Sequence, residues 1–115
     1  MEALQRRTCQ DHGAEFLPTS SDSKVGVAAN VLPASEIING LRHPPSDGTC
    51  GWYIWAGEEL HSQDDFFEPI HVEHLIERCP AVLKYLGLAP GWRFLLAKDY
   101  EDVWFDPALL QLEER

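Results

Sequence analysis

Gly51-Trp52-Tyr53-Ile54-Trp55-Ala56-Gly57-Glu58-Glu59 is the stretch whose reading decides the fold. Between its two glycines stand two tryptophans, a tyrosine and an isoleucine. Aromatic and β-branched side chains at this density suit a pleated, buried strand. Side chains alternate along a strand, so Trp52, Ile54 and Ala56 face one way, and Tyr53 and Trp55 the other. Neither set is polar, so both faces need cover, which is the position of a central strand. The segment then runs straight into Glu58 and Glu59. Gly91–Ala97, GWRFLLA, repeats the idea: it opens on Gly-Trp and is followed by Asp99, Glu101 and Asp102.

Outward from these two strands the elements are weaker. Glu2–His12 reads as a helix stopped by Gly13, with Leu4 and Cys9 on a thin apolar side. Lys24–Asn30, KVGVAAN, reads as a strand, and Pro33 suits an edge or a bend. Asn39-Gly40, after Ile37 and Ile38, is a turn dipeptide. Leu41–Cys50, LRHPPSDGTC, reads as an exposed loop. Glu58–Glu68, EELHSQDDFFE, is a loop with five carboxylates and the pair Phe66-Phe67. Pro69–Gly87 reads as helical, with Val72, Leu75, Ile76 and Cys79 on one face at i, i+3, i+4, i+7. Pro80 divides it into two short helices and opens the second, whose core face is Val82, Leu83 and Leu86. Val103–Phe105 is a third short strand, and Pro107–Leu112 a closing helical turn. The expected fold is α+β: one domain over residues 1–115, with an N-terminal helix at 1–13, a core at 24–110, and a mixed, mostly antiparallel sheet with two or three helices packed on it. If the two aromatic strands run the same way, their acidic ends share one rim; if they run oppositely, the rim disappears. The sequence leaves both open.

Composition narrows the function. With 115 residues, nine basic and nineteen acidic, the formal net charge is −10. Nucleic-acid binding and anionic membrane surfaces both call for Lys and Arg, so neither is expected. A basic protein partner fits such a field, and so does plain solubility. No apolar run reaches the roughly 20 residues of a membrane span. The polar start MEALQRRTCQDHG reads as no leader peptide. Cys9, Cys50 and Cys79, without a CxxC pair, read as reduced thiols in a cytoplasmic protein.

Several constellations could carry chemistry. His71 and His74, with His61 or Glu77, could offer metal donors on a helix, which would make the chain a small metal-dependent hydrolase; HExxH spacing and cysteine pairs are lacking. Glu58, Glu59, Asp64, Asp65 and Glu68 could pair for acid–base work, or be a partner-facing or merely solvated acidic surface. Their spacing is not that of a calcium loop. A nucleophilic thiol needs an electropositive setting, scarce in so acidic a chain. Arg42, Arg78 and Arg93 read as structural rather than as an anion site. No catalytic residue, metal or cofactor is assigned.

IINGLRHPP (Ile37–Pro45), TCGWYIWAGEEL (Thr49–Leu60), DDFFEPIHVEHL (Asp64–Leu75) and PGWRFLLAKDYEDVWFDPALL (Pro90–Leu110) together resemble a bacterial family of small immunity proteins, the thirty-third numbered immunity family of polymorphic toxin systems. The similarity runs from about Lys24 onward and rests on aromatic and glycine landmarks, not on catalytic signatures. It implies a small, non-enzymatic protein that binds a toxin made by the same or a neighbouring cell. An acidic plug would complement a toxin with a basic active-site cleft. Charge and the two acid-ended strands then nominate Glu58, Glu59, Asp64, Asp65, Asp99, Glu101 and Asp102 as the partner-binding rim, with Phe66 or Tyr100 as its apolar anchor. An acidic structural or regulatory module is the remaining alternative. The toxin and the oligomeric state are not legible.

Overall fold

A computed structural model of the chain describes residues 2–20, 22–28, 31, 36–45, 49–57 and 67–114, the last four by backbone alone. Helix α1 (Glu2–His12) is followed by strands β1 (Lys24–Ala28), β2 (Ile37–Arg42), β3 (Thr49–Ala56) and β4 (Phe67–His71), helix α2 (Val72–Arg78), a 3-10 helix (Pro80–Tyr85), the hairpin β5 (Trp92–Ala97) and β6 (Tyr100–Phe105), and a closing 3-10 helix (Pro107–Glu114). The strands form one mixed sheet in the order β4-β1-β3-β2-β5-β6. Among the described strands only β1 and β3 pair in parallel; the other four pairings are antiparallel. The expected α+β architecture is the one observed.

Strand β3 is central, as its sequence requires. Trp52 and Ile54 are fully buried on the face that carries the helices, and the Trp52 indole N–H donates to the Leu86 carbonyl at 3.1 Å. Trp55 is buried on the opposite face, while Tyr53 is half-buried there, edge-on to Phe67 and His43. Opposite Ile54 across β2 lies Phe94 of β5, which stacks on Tyr85 at 4.2 Å. Val72, Leu75 and Cys79 of the α2 face are buried and Ile76 partly so, which is the periodicity read from the sequence. Pro80 ends α2 and opens the next helix, which is a 3-10 turn with Val82 and Tyr85 inward.

The structure corrects the reading in five places. Asn39-Gly40 is not a turn but the middle of β2. Glycine stands there because a Cβ at position 40 would lie 2.2 Å from the Phe94 ring, and asparagine because its side-chain amide donates to the Gly57 carbonyl at 2.7 Å. Turn chemistry and strand packing select the same dipeptide for different reasons. Leu41 and Arg42 belong to β2, and Thr49 and Cys50 to β3, so the supposed exposed loop begins and ends inside the sheet. Gly51 (φ +92) opens an irregularity between β1 and β3, and a Cβ there would meet the His43 carbonyl oxygen at 2.0 Å. Phe67–His71 is a strand, so the helix starts at Val72 and not at Pro69. The third strand begins at Tyr100, not Val103, because a two-residue turn, Lys98-Asp99, closes the hairpin. Helix α1 has the expected limits, but its buried side is Gln5, Thr8 and Cys9, with Leu4 exposed. Gln5 donates to the Leu83 carbonyl at 3.0 Å and Cys9 to that of Gly87 at 3.4 Å, so the helix is docked by polar bonds more than by an apolar stripe. The bend read at Pro33 lies outside the described residues.

Arg42 is the least expected member of the core. Its side chain is fully buried and faces no carboxylate among the described residues. It donates to the carbonyls of Cys50, Leu17 and Leu88 at 2.9, 2.8 and 2.7 Å. Burial pulls its pKa below the usual value, against the pull of Cys50 and Cys9. Planar, multiply donating and weakly hydrated, a guanidinium can bridge several carbonyls at once. Arg42 thereby ties the sheet to both segments that cross its end.

Candidate partner-binding site

The rim begins with strand direction. Strand β2 runs antiparallel to both β3 and β5, so β3 and β5 run the same way. Their C-terminal ends meet at the start of β2, where Ala56 pairs with Ile38 and Ala97 with Ile37. Gly57 is held at this end: its N–H donates to the Ile37 carbonyl at 2.9 Å, and its own carbonyl accepts from Asn39. The roots of both acidic segments therefore lie at one end of the sheet, the alternative that the sequence left open. Glu58, Glu59, Asp64, Asp65 and Phe66 lie outside the described residues, as does His61.

The second acidic segment is fully placed, and its members do different things. Asp99 is exposed in the turn beside Lys98. Tyr100 and Asp102 are both exposed and share the sheet face opposite the helices, with 3.5 Å between the Tyr100 hydroxyl and an Asp102 oxygen. Glu101 faces the helix layer instead. It accepts a short hydrogen bond from the Tyr85 hydroxyl and lies 3.1 Å from the Lys84 ammonium. The Tyr85 bond holds the Glu101 carboxyl below its usual pKa, with partial burial opposing and Lys84 and His12 assisting. Burial first, and then that carboxylate, push the Tyr85 hydroxyl above its own usual value. Glu101 is thus a latch between the hairpin and the Pro80–Tyr85 helix.

One acid was missed. Glu36, exposed and immediately before β2, lies at the same end as Asp99. Recognising β2 as a strand would have revealed it; reading Asn39-Gly40 as a turn concealed it.

The constellations proposed for catalysis are not assembled by the described residues. His71 and His74 approach to 5.8 Å between ring centroids, and no group of three or more His, Cys, Asp or Glu converges there. The thiols of Cys9, Cys50 and Cys79 are buried, and burial pushes each above its usual pKa, away from thiolate. An open cleft of about 280 Å³ between β1, β3 and β4 is walled chiefly by Gly26, Thr49, Tyr53, Phe67 and Pro69. Among the described residues its charged lining residue is Lys24, and none of them brings a carboxylate or an imidazole to it. Arg78 and Arg93 join Arg42 in structural roles. Arg78 donates to the Val31 carbonyl at 2.9 Å, while Arg93 pairs with Asp106 at 3.1 Å and lies over the Trp104 ring.

No helix among the described residues is long and apolar enough to cross a membrane. Among curated proteins and among solved structures, nothing matches this chain. A family model does match, across residues 4–106, and its span takes in most of α1 and every described strand of the sheet. Its description is the Imm33-like domain, and the chain belongs to the Imm33-like family.

Proposed function

We propose that this protein is an immunity protein that neutralises a cognate bacterial toxin by direct binding, without catalysis of its own. Membership of the Imm33-like family over residues 4–106 is the observation that carries the reading. The net charge of −10 supports a partner with a basic surface, because opposite fields accelerate encounter and disfavour wrong partners. The common end of β3 and β5, with Glu36, Asp99 and Asp102 exposed near it, supports an acidic rim with Tyr100 as its anchor. Glu58, Glu59, Asp64, Asp65 and Phe66 follow Gly57 in the chain and belong to the same proposal. Glu101 belongs to it only indirectly, through its hold on the hairpin. The protein acts in the cytoplasm, where a plug on a nuclease-like cleft would protect the cell.

The test is capture followed by rescue. Tagged protein is used to recover partners from its native cells at low and at high salt. A recovered toxin domain is then expressed alone and together with this protein. Growth arrest by the toxin, relieved by co-expression and accompanied by a near-stoichiometric complex, is the expected result. A toxin whose arrest this protein leaves unrelieved, or a recovered partner without toxicity, overturns the proposal.

A further inference from the structure

Strand β6 is the last strand of the sheet, and no described strand pairs with its outer side. Its hairpin with β5 closes on the pair Ala97–Tyr100 through a two-residue turn. Pairs in an antiparallel ladder alternate between those that exchange hydrogen bonds and those that do not, and a two-residue turn makes the closing pair a bonded one. Tyr100, Asp102 and Trp104 therefore spend their backbone groups on β5. The N–H and C=O groups of Glu101, Val103 and Phe105 point outward. The closing 3-10 helix does not run back along this strand at its start, since the Leu109 carbonyl lies 3.2 Å from Nδ1 of His43, beyond the end of β2. The strand contains no proline and has no irregularity in its register.

The side chains flanking that backbone differ on the two faces. Tyr100 and Asp102 are exposed on one, at the edge of a ring and a carboxylate. On the other, Val103 is half-buried and Phe105 is 45% exposed. Charge then selects among occupants. A second copy of β6 would bring Asp99, Glu101 and Asp102 against their own kind, which is how natural edges are guarded against self-pairing. A strand of opposite charge meets no such barrier.

We infer that the outer side of β6 is a docking rail for an extended strand of a partner protein, one that carries Lys or Arg on the face beside Tyr100 and Asp102 and apolar side chains beside Val103 and Phe105. The mode is strand addition, in which main-chain bonds give affinity and alternate side chains give selectivity. A cation placed there gains both the Asp102 carboxylate and the Tyr100 ring. That the partner is a toxin rests on the immunity reading; that it is an alternating basic and apolar strand rests on β6 alone.

The probe is a capped heptapeptide, Lys-Val-Lys-Val-Lys-Val-Lys, titrated to millimolar concentration into the whole protein and followed by amide NMR. A Lys-Pro heptapeptide of equal charge is the comparison, because proline cannot donate to a ladder. The expected result is binding at least tenfold tighter for the Lys-Val peptide, with shifts centred on the Glu101, Val103 and Phe105 amides. Val103→Pro removes one outward donor while sparing the bonds to β5, and should weaken that binding about tenfold. Should this variant fail to fold, Asp102→Lys replaces it, with the same loss expected. Equal affinity for the two peptides, shifts centred elsewhere, or indifference to the folded variant overturns the inference. A negative peptide result beside successful toxin rescue removes the rail and leaves the immunity function standing. A positive peptide result beside failed rescue keeps the rail and removes the toxin.

Discussion

The two edges of the sheet are built oppositely. Strand β4 has five residues, carries Pro69 in its middle, and passes directly into α2. Proline is tolerated on an edge strand because its missing N–H faces outward, and there it denies a donor to any incoming strand. Strand β6 has six residues, lacks proline, and is followed by a chain that turns away towards His43. One edge is closed by covalent chemistry; the other is screened only by charge, and charge screens against like strands alone. The difference teaches which side of this sheet is available to another protein.

Both edges depend on one centre, so the largest effect should come from breaking it. Arg42→Ala removes three hydrogen bonds to buried or partly buried carbonyls and leaves those acceptors unpaired. With net losses of about 1 kcal/mol or more for each stranded acceptor, destabilisation of about 3 kcal/mol or more is expected. A urea melt followed by tryptophan fluorescence measures it. A loss under about 1 kcal/mol would mean that the three carbonyls find water, and that the centre is not shared in the way described.

Charge reversal separates the edges. Asp102→Lys on β6 and Glu68→Lys on β4 each reverse one exposed carboxylate. Each should leave stability within about 0.5 kcal/mol. Only Asp102→Lys should slow association with a basic partner, by about tenfold at low salt and less as salt rises. Stopped-flow association over a salt series reads this. Equal effects of the two substitutions would reduce the distinction to net charge.

Tyr85→Phe probes how the open edge is held. It removes the donor to Glu101 and keeps the stack on Phe94. A loss of about 1 kcal/mol is expected, below the usual range for bonds to charged groups because Glu101 is partly exposed. The pH dependence follows from the depressed Glu101 pKa. Between the ordinary carboxylate value and the lower folded one, the unfolded chain binds more protons, so stability falls as pH falls through that window. In Tyr85→Phe this acid limb should flatten. A melt series in which it keeps its full slope would assign the limb to other carboxylates.

What was legible in the sequence follows from which signals were local. GWYIWA and GWRFLLA declare strands because aromatic alternation needs no partner to be read. Val72, Leu75 and Cys79 declare a helix face in the same way, and Pro80 its end. β2 was hidden because Gly40 and Asn39 answer to Phe94 and Gly57, residues far off in the chain. β4 was hidden by Pro69, which signals a helix start in sequence and an edge strand in the sheet. Arg42 looked like a loop residue because its partners come from three separate segments. The acids at the candidate site were visible as composition. That Glu101 turns inward while Tyr100 and Asp102 turn outward depended on a strand start that an error of three residues had displaced.

The smallest expected effect bears most directly on the contrast between the edges. Pro69→Val places a β-branched residue on β4 and restores an N–H to its outer side. The register to Gly26 is already that of a regular antiparallel ladder, so stability should change by no more than about 0.5 kcal/mol. What should change is association. β4 has Glu68 as its single carboxylate, so an opened β4 lacks the charge screen of β6. Pro69→Val should therefore self-associate in sedimentation velocity at concentrations where the native chain does not, while Pro69→Val combined with Glu68→Lys, which puts a lysine at an exposed edge position, should not. If Pro69→Val stays in the native state of association, proline is not what closes β4, and the passage into α2 becomes the feature that protects that edge.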